Sequence, residues 1–199
     1  VQFIRNMTDT VSIEGSTCTE ALNILPEVLS LQAEIESTRR WFHANPELAY
    51  KEVKTAAKIV DLLKSYGIDE IYEGCATTGV IAVIRGGSEG PCIALRADID
   101  ALPIVETAEV AYKSQNHGAM HACGHDGHIT GLLAAAKVLN AERSSIKGSV
   151  KLIFQPAEEG YGGAKVMVDE GCLEQGPFGP RVDFVYGIHL WSCKLPFHS

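Results

Sequence analysis

No Cys-x-x-Cys pair occurs among the six cysteines, which stand apart at 18, 75, 92, 123, 172 and 193. The dense disulfide framework of small secreted domains is therefore not in view, and a reducing, cytosolic setting is expected. Positive charge is scarce as well: 17 Lys plus Arg against 25 Asp plus Glu leave a formal net charge of −8. A chain of that sign has no basic face to neutralise a phosphate backbone, so nucleic acid is not an expected partner. Long apolar runs are missing too. The longest, Ile129 to Leu139, is interrupted by Lys137 and falls short of the ~20 residues that cross a bilayer, so no membrane role is expected. The opening Val1-Gln2-Phe3-Ile4-Arg5-Asn6 has no sustained apolar segment of the signal-peptide type. It also lacks an initiator methionine, which leaves room for a longer precursor; the cytoplasm is the default location.

What is present suffices for a core, with 199 residues of which 46% are hydrophobic. Residues 1–19 mix Thr, Ser, Asp and Gly without periodicity and read as an N-terminal arm, followed by one domain over 20–199. Val28, Leu29, Leu31, Ile35 and Trp41-Phe42 predict a helix from Pro26 to about His43, broken by Asn45-Pro46. A second helix spans about Lys51 to Tyr66, capped by Gly67. Strands are predicted at Ile68–Tyr72, Val80–Ile84, Cys92–Arg96, Ser149–Phe154 and Val182–His189, with helices at about Gly127–Asn140 and Ala164–Glu170. Strands alternating with helices indicate an α/β class: a layered domain with a mixed, largely parallel sheet flanked by helices.

In such sheets ligands gather where strands end, and the chemically capable residues fall there. Cys123 and His125 are separated by one glycine, which permits a backbone path that turns both side chains to one point. Their place at a predicted helix start favours the thiolate that a metal needs. Glu158 and Glu159 follow a strand and Pro156, so one can coordinate a cation while the other moves a proton. Asp98 and Asp100 end an apolar strand, where they either orient a ligand imidazole or satisfy loop amides and Arg96. His189, alone at the end of an apolar strand, reads on its own as a satisfied core residue. His43, His117, His121 and His128 are weaker candidates, for each of which a cap or surface role suffices, and Trp41, Phe42 and Tyr50 look like core.

Four ordered blocks carry a resemblance: Leu95-Arg96-Ala97-Asp98-Ile99-Asp100-Ala101-Leu102-Pro103, His121-Ala122-Cys123-Gly124-His125-Asp126-Gly127-His128, Phe154-Gln155-Pro156-Ala157-Glu158-Glu159 and Gly187-Ile188-His189. Together with Arg40-Trp41-Phe42-His43-Ala44-Asn45-Pro46-Glu47-Leu48, they resemble the aminoacylase and hippurate hydrolase family, which includes the auxin-conjugate amidohydrolases. The resemblance implies a zinc-exopeptidase-like fold and two divalent metal ions (zinc, manganese, cobalt or nickel). It matches Cys123, His125, Glu159 and His189 to metal ligands and Glu158 to the general base. The implied reaction is hydrolysis of the amide of an N-acyl amino acid. Family enzymes insert a lid and dimerisation domain after the Gly-Ile-His block and supply one more histidine ligand. The chain is therefore expected to be a partial catalytic domain, truncated before that lid, with a homodimer in a full-length form and an exposed apolar sheet edge near residues 182–195. Two other readings compete: a catalytically silent metal-binding half-domain, alone or paired with another chain, and a redox-responsive thiol protein. The absence of a nearby resolving cysteine weighs against the last.

Overall fold

Apolar residues at helical spacing build the first part of the chain. The computed structural model of the protein describes residues 25–191, so the arm expected at residues 1–19 lies outside the described residues. The single helix expected from Pro26 to His43 is two, α1 (Pro26–Leu29) and α2 (Gln32–Ala44). Between them the Leu31 N–H bonds to the Val28 carbonyl at 3.1 Å, three positions back, so the α-helical ladder is interrupted there. α3 (Val53–Ser65) closes in a Schellman turn, with the Gly67 N–H on the Lys64 carbonyl at 2.9 Å and the Ile68 N–H on the Leu63 carbonyl at 3.1 Å. Ile68, expected to open a strand, is the buried apolar residue of that turn, and β1 (Ile71–Cys75) starts later.

Five strands form one sheet in the order β1-β2-β4-β3-β5. The others are β2 (Gly79–Arg85), β3 (Ser88–Asp98), β4 (Lys147–Gln155) and β5 (Phe184–Gly187), with α4 (His125–Ala141) and α5 (Gly163–Asp169) between them. β2 is antiparallel to β1 and β4, whereas β3 is parallel to β4 and β5. Four strands thus run one way and β2 alone runs the other, in agreement with a mixed, largely parallel sheet flanked by helices. β5 is shorter than the expected Val182–His189 because only Phe184–Gly187 find partners, on Ile93–Arg96.

Both sheet faces are covered, which is why β2 and β4 read as continuous apolar runs. On one face Val80, Ala82, Leu152 and Phe154 pack with Phe42, Ile59, Leu63 and Ile129 from α2, α3 and α4. On the other, Ile81, Ala94 and Ile153 meet Met167 of α5 and Cys172. β5 lies at an edge, with Phe184, Val185, Tyr186, Ile188, Leu190 and Trp191 exposed. The expected apolar edge is therefore present as far as Trp191, and its remainder lies outside the described residues. No helix among the described residues is long and apolar enough to cross a membrane.

The register pairs Asp98 with Gln155 and Arg96 with Gly187, so the C-terminal ends of β3, β4 and β5 finish together on one rim. The stability of that frame rests on the α-covered face. Phe42→Ala, at a fully buried position, should lower the unfolding free energy by about 3–5 kcal/mol. Val53→Ala, at a position 66% exposed, should change it by no more than about 0.5 kcal/mol. Chemical denaturation measures both, and equal effects would show that the core is misplaced.

Candidate metal centre

The rim is built from the end of β3 outward. Asp98 Oδ1 accepts a bond from His128 Nδ1 at 2.6 Å, and Oδ2 pairs with Arg96 Nη1 at 2.9 Å. Arg96 Nε donates to Gln155 Oε1 at 2.8 Å, which ties the ends of β3 and β4 together. Asp100 Oδ2 accepts the Glu159 N–H at 2.9 Å, and the Asp100 carbonyl accepts from His125 Nδ1 at 2.9 Å. The two aspartates therefore make both kinds of contact expected of them, with imidazoles and with a loop amide and Arg96.

α4 begins at His125, two residues earlier than its expected start, after Gly124 in the left-handed region at φ +83°. That conformation is one glycine adopts without steric cost, and it turns neighbouring side chains together. The Sγ of Cys123, a ring nitrogen of His125 and a carboxylate oxygen of Glu159 all lie within 4.8 Å of one another. His125 is 1% exposed, and with Nδ1 spent on a carbonyl its Nε2 has no hydrogen-bond partner. That nitrogen lies 3.5 Å from Asp98 Oδ2 and 3.8 Å from both Glu158 Oε2 and Glu159 Oε1. A buried imidazole lone pair facing carboxylates is unfavourable in isolation and is satisfied by a divalent cation.

His189, just beyond β5, is exposed, which departs from the core role its strand context suggests on its own. Its Nε2 stands 3.6 Å from Cys123 Sγ. Asp98, His125, His128 and His189 also lie within mutual ligand range. In that group His128 has both nitrogens engaged, Nδ1 on Asp98 and Nε2 accepting the Leu190 N–H at 2.8 Å. It clasps the segment carrying His189 and has no lone pair to spare. The favoured donor group is accordingly Cys123, His125 and Glu159.

The field at the rim is negative. Burial, followed by the Glu159 carboxylate and the charges of Asp98 and Glu158, pushes the Cys123 thiol up to about 11. The help expected from the start of α4 is outweighed, because Cys123 lies before the helix and among carboxylates. A bound dication inverts this balance, since the charges that hold the proton on sulfur also attract the metal. Burial pushes the His125 imidazole down, but Asp100 and Asp98 more than offset it and the net direction is upward. Asp98 and Asp100 are raised by burial, yet bonds to His128 and His125 respectively bring each below the usual carboxylate range.

Several contributors were read from the sequence only as weaker candidates, and Glu52 was not read at all. His43, His121 and His128 are buried instead of serving as caps or surface residues, whereas His117 is exposed. His43 joins Asp126 Oδ2 through Nδ1 at 2.8 Å and Glu106 Oε1 through Nε2 at 3.0 Å, and Arg39 Nε reaches the same Asp126 oxygen at 3.1 Å. That chain fastens α2 and the loop carrying Glu106 to the start of α4. Phe42 is core, while Trp41 and Tyr50 are half-buried. Glu52, also fully buried, bonds to the Ala157 N–H ahead of Glu158. The sequence signal for His43, His121 and His128 was their place in the blocks Arg40–Leu48 and His121–His128, whereas Glu52 carried none, because burial of a lone Glu leaves no pattern in composition.

His121 makes a pH dependence calculable. Burial lowers its imidazole to about 4 from an ordinary 6.5, so the unfolded chain binds the proton first as pH falls. Its contribution is unaffected above about pH 6.5 and destabilising below it, reaching about 3 kcal/mol by pH 4. Replacing His121 by Phe should flatten stability across that window in metal-free protein. A wild-type slope retained by the variant in denaturation at several pH values would assign the dependence elsewhere.

The sequence pattern of peptidase family M20/M25/M40 matches residues 94–197, a span that includes every candidate ligand named above. Hippurate hydrolase of Campylobacter jejuni is 45% identical over 178 residues, covering 89% of this chain and 44% of that enzyme. IAA-amino acid hydrolase ILR1-like 2 of Arabidopsis thaliana is 50% identical over 172 residues, covering 86% of this chain and 36% of that one. Among solved structures, the Bacillus subtilis YXEP protein, described as a dinuclear metal binding peptidase from the M20 family, superposes with a TM-score of 0.75 at 41% identity. That match covers 81% of this chain and 44% of that one. The chain thus spans less than half the length of these relatives.

Proposed function

The chain belongs to peptidase family M20/M25/M40, and on that premise we propose that it carries the metal-holding part of an amidohydrolase acting on N-acyl amino acids. The observation behind this reading is the buried, unpartnered His125 Nε2, grouped with Cys123 and Glu159 and facing the Glu158 carboxylate. Thiolate, imidazole and carboxylate are a donor set suited to zinc, manganese, cobalt or nickel, and the thiolate favours a softer ion such as zinc. On this reading Cys123, His125, Glu159 and His189 hold the metal. Asp100 orients the His125 ring, and Asp98 orients His128.

When bound, divalent ions supply Lewis acidity that polarises a scissile carbonyl and acidifies water. The remaining chemistry belongs to side chains. Glu158 is the freer of the two glutamates, its side chain 39% exposed against 25% for Glu159, whose N–H Asp100 holds. It takes a proton from the attacking water and delivers it to the departing amine nitrogen. The names hippurate hydrolase and IAA-amino acid hydrolase support the acyl-amino-acid class of substrate. A metal-binding part that is silent by itself is the second reading. It is favoured by the exposure of His189 and of the apolar residues Phe184, Val185, Tyr186 and Ile188 beside it, which leaves that side of the site uncovered among the described residues.

Metal analysis of purified protein together with an assay on several N-acyl amino acids tests both. Glu158→Gln should retain bound metal while hydrolysis falls by about 10²- to 10⁴-fold, whereas Cys123→Ser and His125→Ala should lose metal. An unchanged rate in Glu158→Gln would remove the proposed proton carrier, and tight metal binding without turnover in the wild type would select the second reading.

A further inference from the structure

Glu52 lies immediately before α3 and is completely buried. Its carboxylate makes no ion pair with a Lys, Arg or His among the described residues. Oε2 accepts the Thr78 hydroxyl at 2.5 Å, and Oε1 accepts the Ala157 N–H at 2.9 Å across 105 positions of sequence. Burial raises this carboxyl, against those bonds. A buried acid without a counter-charge is costly and uncommon, so its two acceptor contacts call for an explanation.

The backbone around it supplies one. The non-glycine residues with positive φ among the described residues are Tyr50 (59°), Ala76 (50°), Thr77 (77°) and Ala157 (51°). Tyr50 is two positions before Glu52, Ala76 and Thr77 directly precede Thr78, and Ala157 is the residue bonded to Glu52 Oε1. All four conformations, which L-residues adopt only at a cost, surround one carboxylate. Such strain persists where the surroundings over-determine it, and it concentrates at functional sites. The left-handed turn at Ala157 directly precedes Glu158 and Glu159. Two further contacts fix the same loop: the Glu159 N–H on Asp100 at 2.9 Å, and the absence of a side chain at Gly163, where a Cβ would stand 1.9 Å from the Pro156 carbonyl oxygen.

We propose that Glu52 is a positioning residue, which holds Ala157 in its left-handed conformation and thereby aims Glu158 and Glu159 at His125. It touches neither substrate nor metal and acts through the backbone of the loop. The inference rests on the reading of Cys123, His125 and Glu159 as metal ligands. Gln at 52 preserves the device, because its carbonyl accepts the Ala157 N–H while its amide donates to the Thr78 oxygen. Leu at 52 keeps the volume apolar and removes both acceptors. Gly at 157 keeps the N–H and adopts positive φ freely, so it relieves the need for Glu52.

The test is titration of the full chain with cobalt(II), read by the thiolate-to-cobalt charge-transfer absorbance that Cys123→Ser abolishes, with circular dichroism as the check on folding. Glu52→Leu should weaken cobalt(II) by roughly 10- to 100-fold, the usual range for losing a partner that supports a ligand. Glu52→Gln should stay within about threefold of wild type, and Glu52→Leu/Ala157→Gly should recover most of the loss. General damage to the fold is not repaired by a glycine 105 positions away. Wild-type affinity in folded Glu52→Leu, or a double variant no better than the single one, overturns this inference while leaving the metal reading in place. Absence of a Cys123-dependent band in the wild type overturns both. Should Glu52→Leu not fold, amide exchange in the metal-free wild type decides: the Ala157 N–H should be as protected as the amides of Leu152 and Phe154, and exchange at loop rates rejects the pin.

Discussion

A buried imidazole with a free lone pair, set among carboxylates, is the constraint around which the rim is arranged. His125 spends Nδ1 on the Asp100 carbonyl and leaves Nε2 without a partner, with Asp98, Glu158 and Glu159 oxygens all within 3.8 Å. This arrangement carries unpaired polar atoms and crowded negative charge, and the Cys123 thiol, pushed up first by burial, is pushed up further by the carboxylates of Glu159, Asp98 and Glu158. The surrounding structure holds these groups together against their mutual repulsion. That is the condition for binding a dication tightly, because little reorganisation is left to do on binding.

The holding is done by backbone as much as by side chains. Parallel alignment of β3, β4 and β5 delivers Asp98, the Gln155–Glu159 loop and His189 to one end of the sheet. α4 then brings Cys123 and His125 to the same end through a left-handed Gly124. Around this lie supports from distant sequence. His43 links Asp126 to Glu106, His128 clasps the His189 segment, and Glu52 grips the Ala157 amide. Each support acts on the loop or helix end carrying a candidate ligand, so the site is an assembly of restrained termini and not a rigid element in itself.

Particular residues show what was readable. Period-two and short apolar runs located all five strands: β2 and β4 are apolar because both of their faces are buried, whereas the edge strand β5 keeps its apolar residues although they are exposed. Ile68 misled because an apolar residue after a helix cap is equally suited to a strand or to the closing contact of a Schellman turn, and the hydrogen bond to Leu63 decides between them. The helix break at Ser30 is not registered by periodicity, since the apolar spacing runs on through Leu31 and Ile35. In the site, the dense Cys123–His128 segment and the Glu158-Glu159 pair stand out in the sequence because metal chemistry requires unusual residue types close together. His43 and Glu52 carry no such local signal, since each is one ionisable residue in an otherwise ordinary amphipathic segment.

The sequence by itself determined the class of fold through periodicity and set a crowd of metal-capable residue types within a few positions, while its four ordered blocks carried the resemblance to the family. Only the tertiary structure decided which of those groups are free. It spends both nitrogens of His128 on Asp98 and Leu190, leaves Nε2 of His125 unpaired, and exposes His189 beside Cys123. The physical reason is that availability of a lone pair is set by which hydrogen bonds its neighbours already make. For His125 and His128 those neighbours come from positions 25 to 62 residues away in the chain.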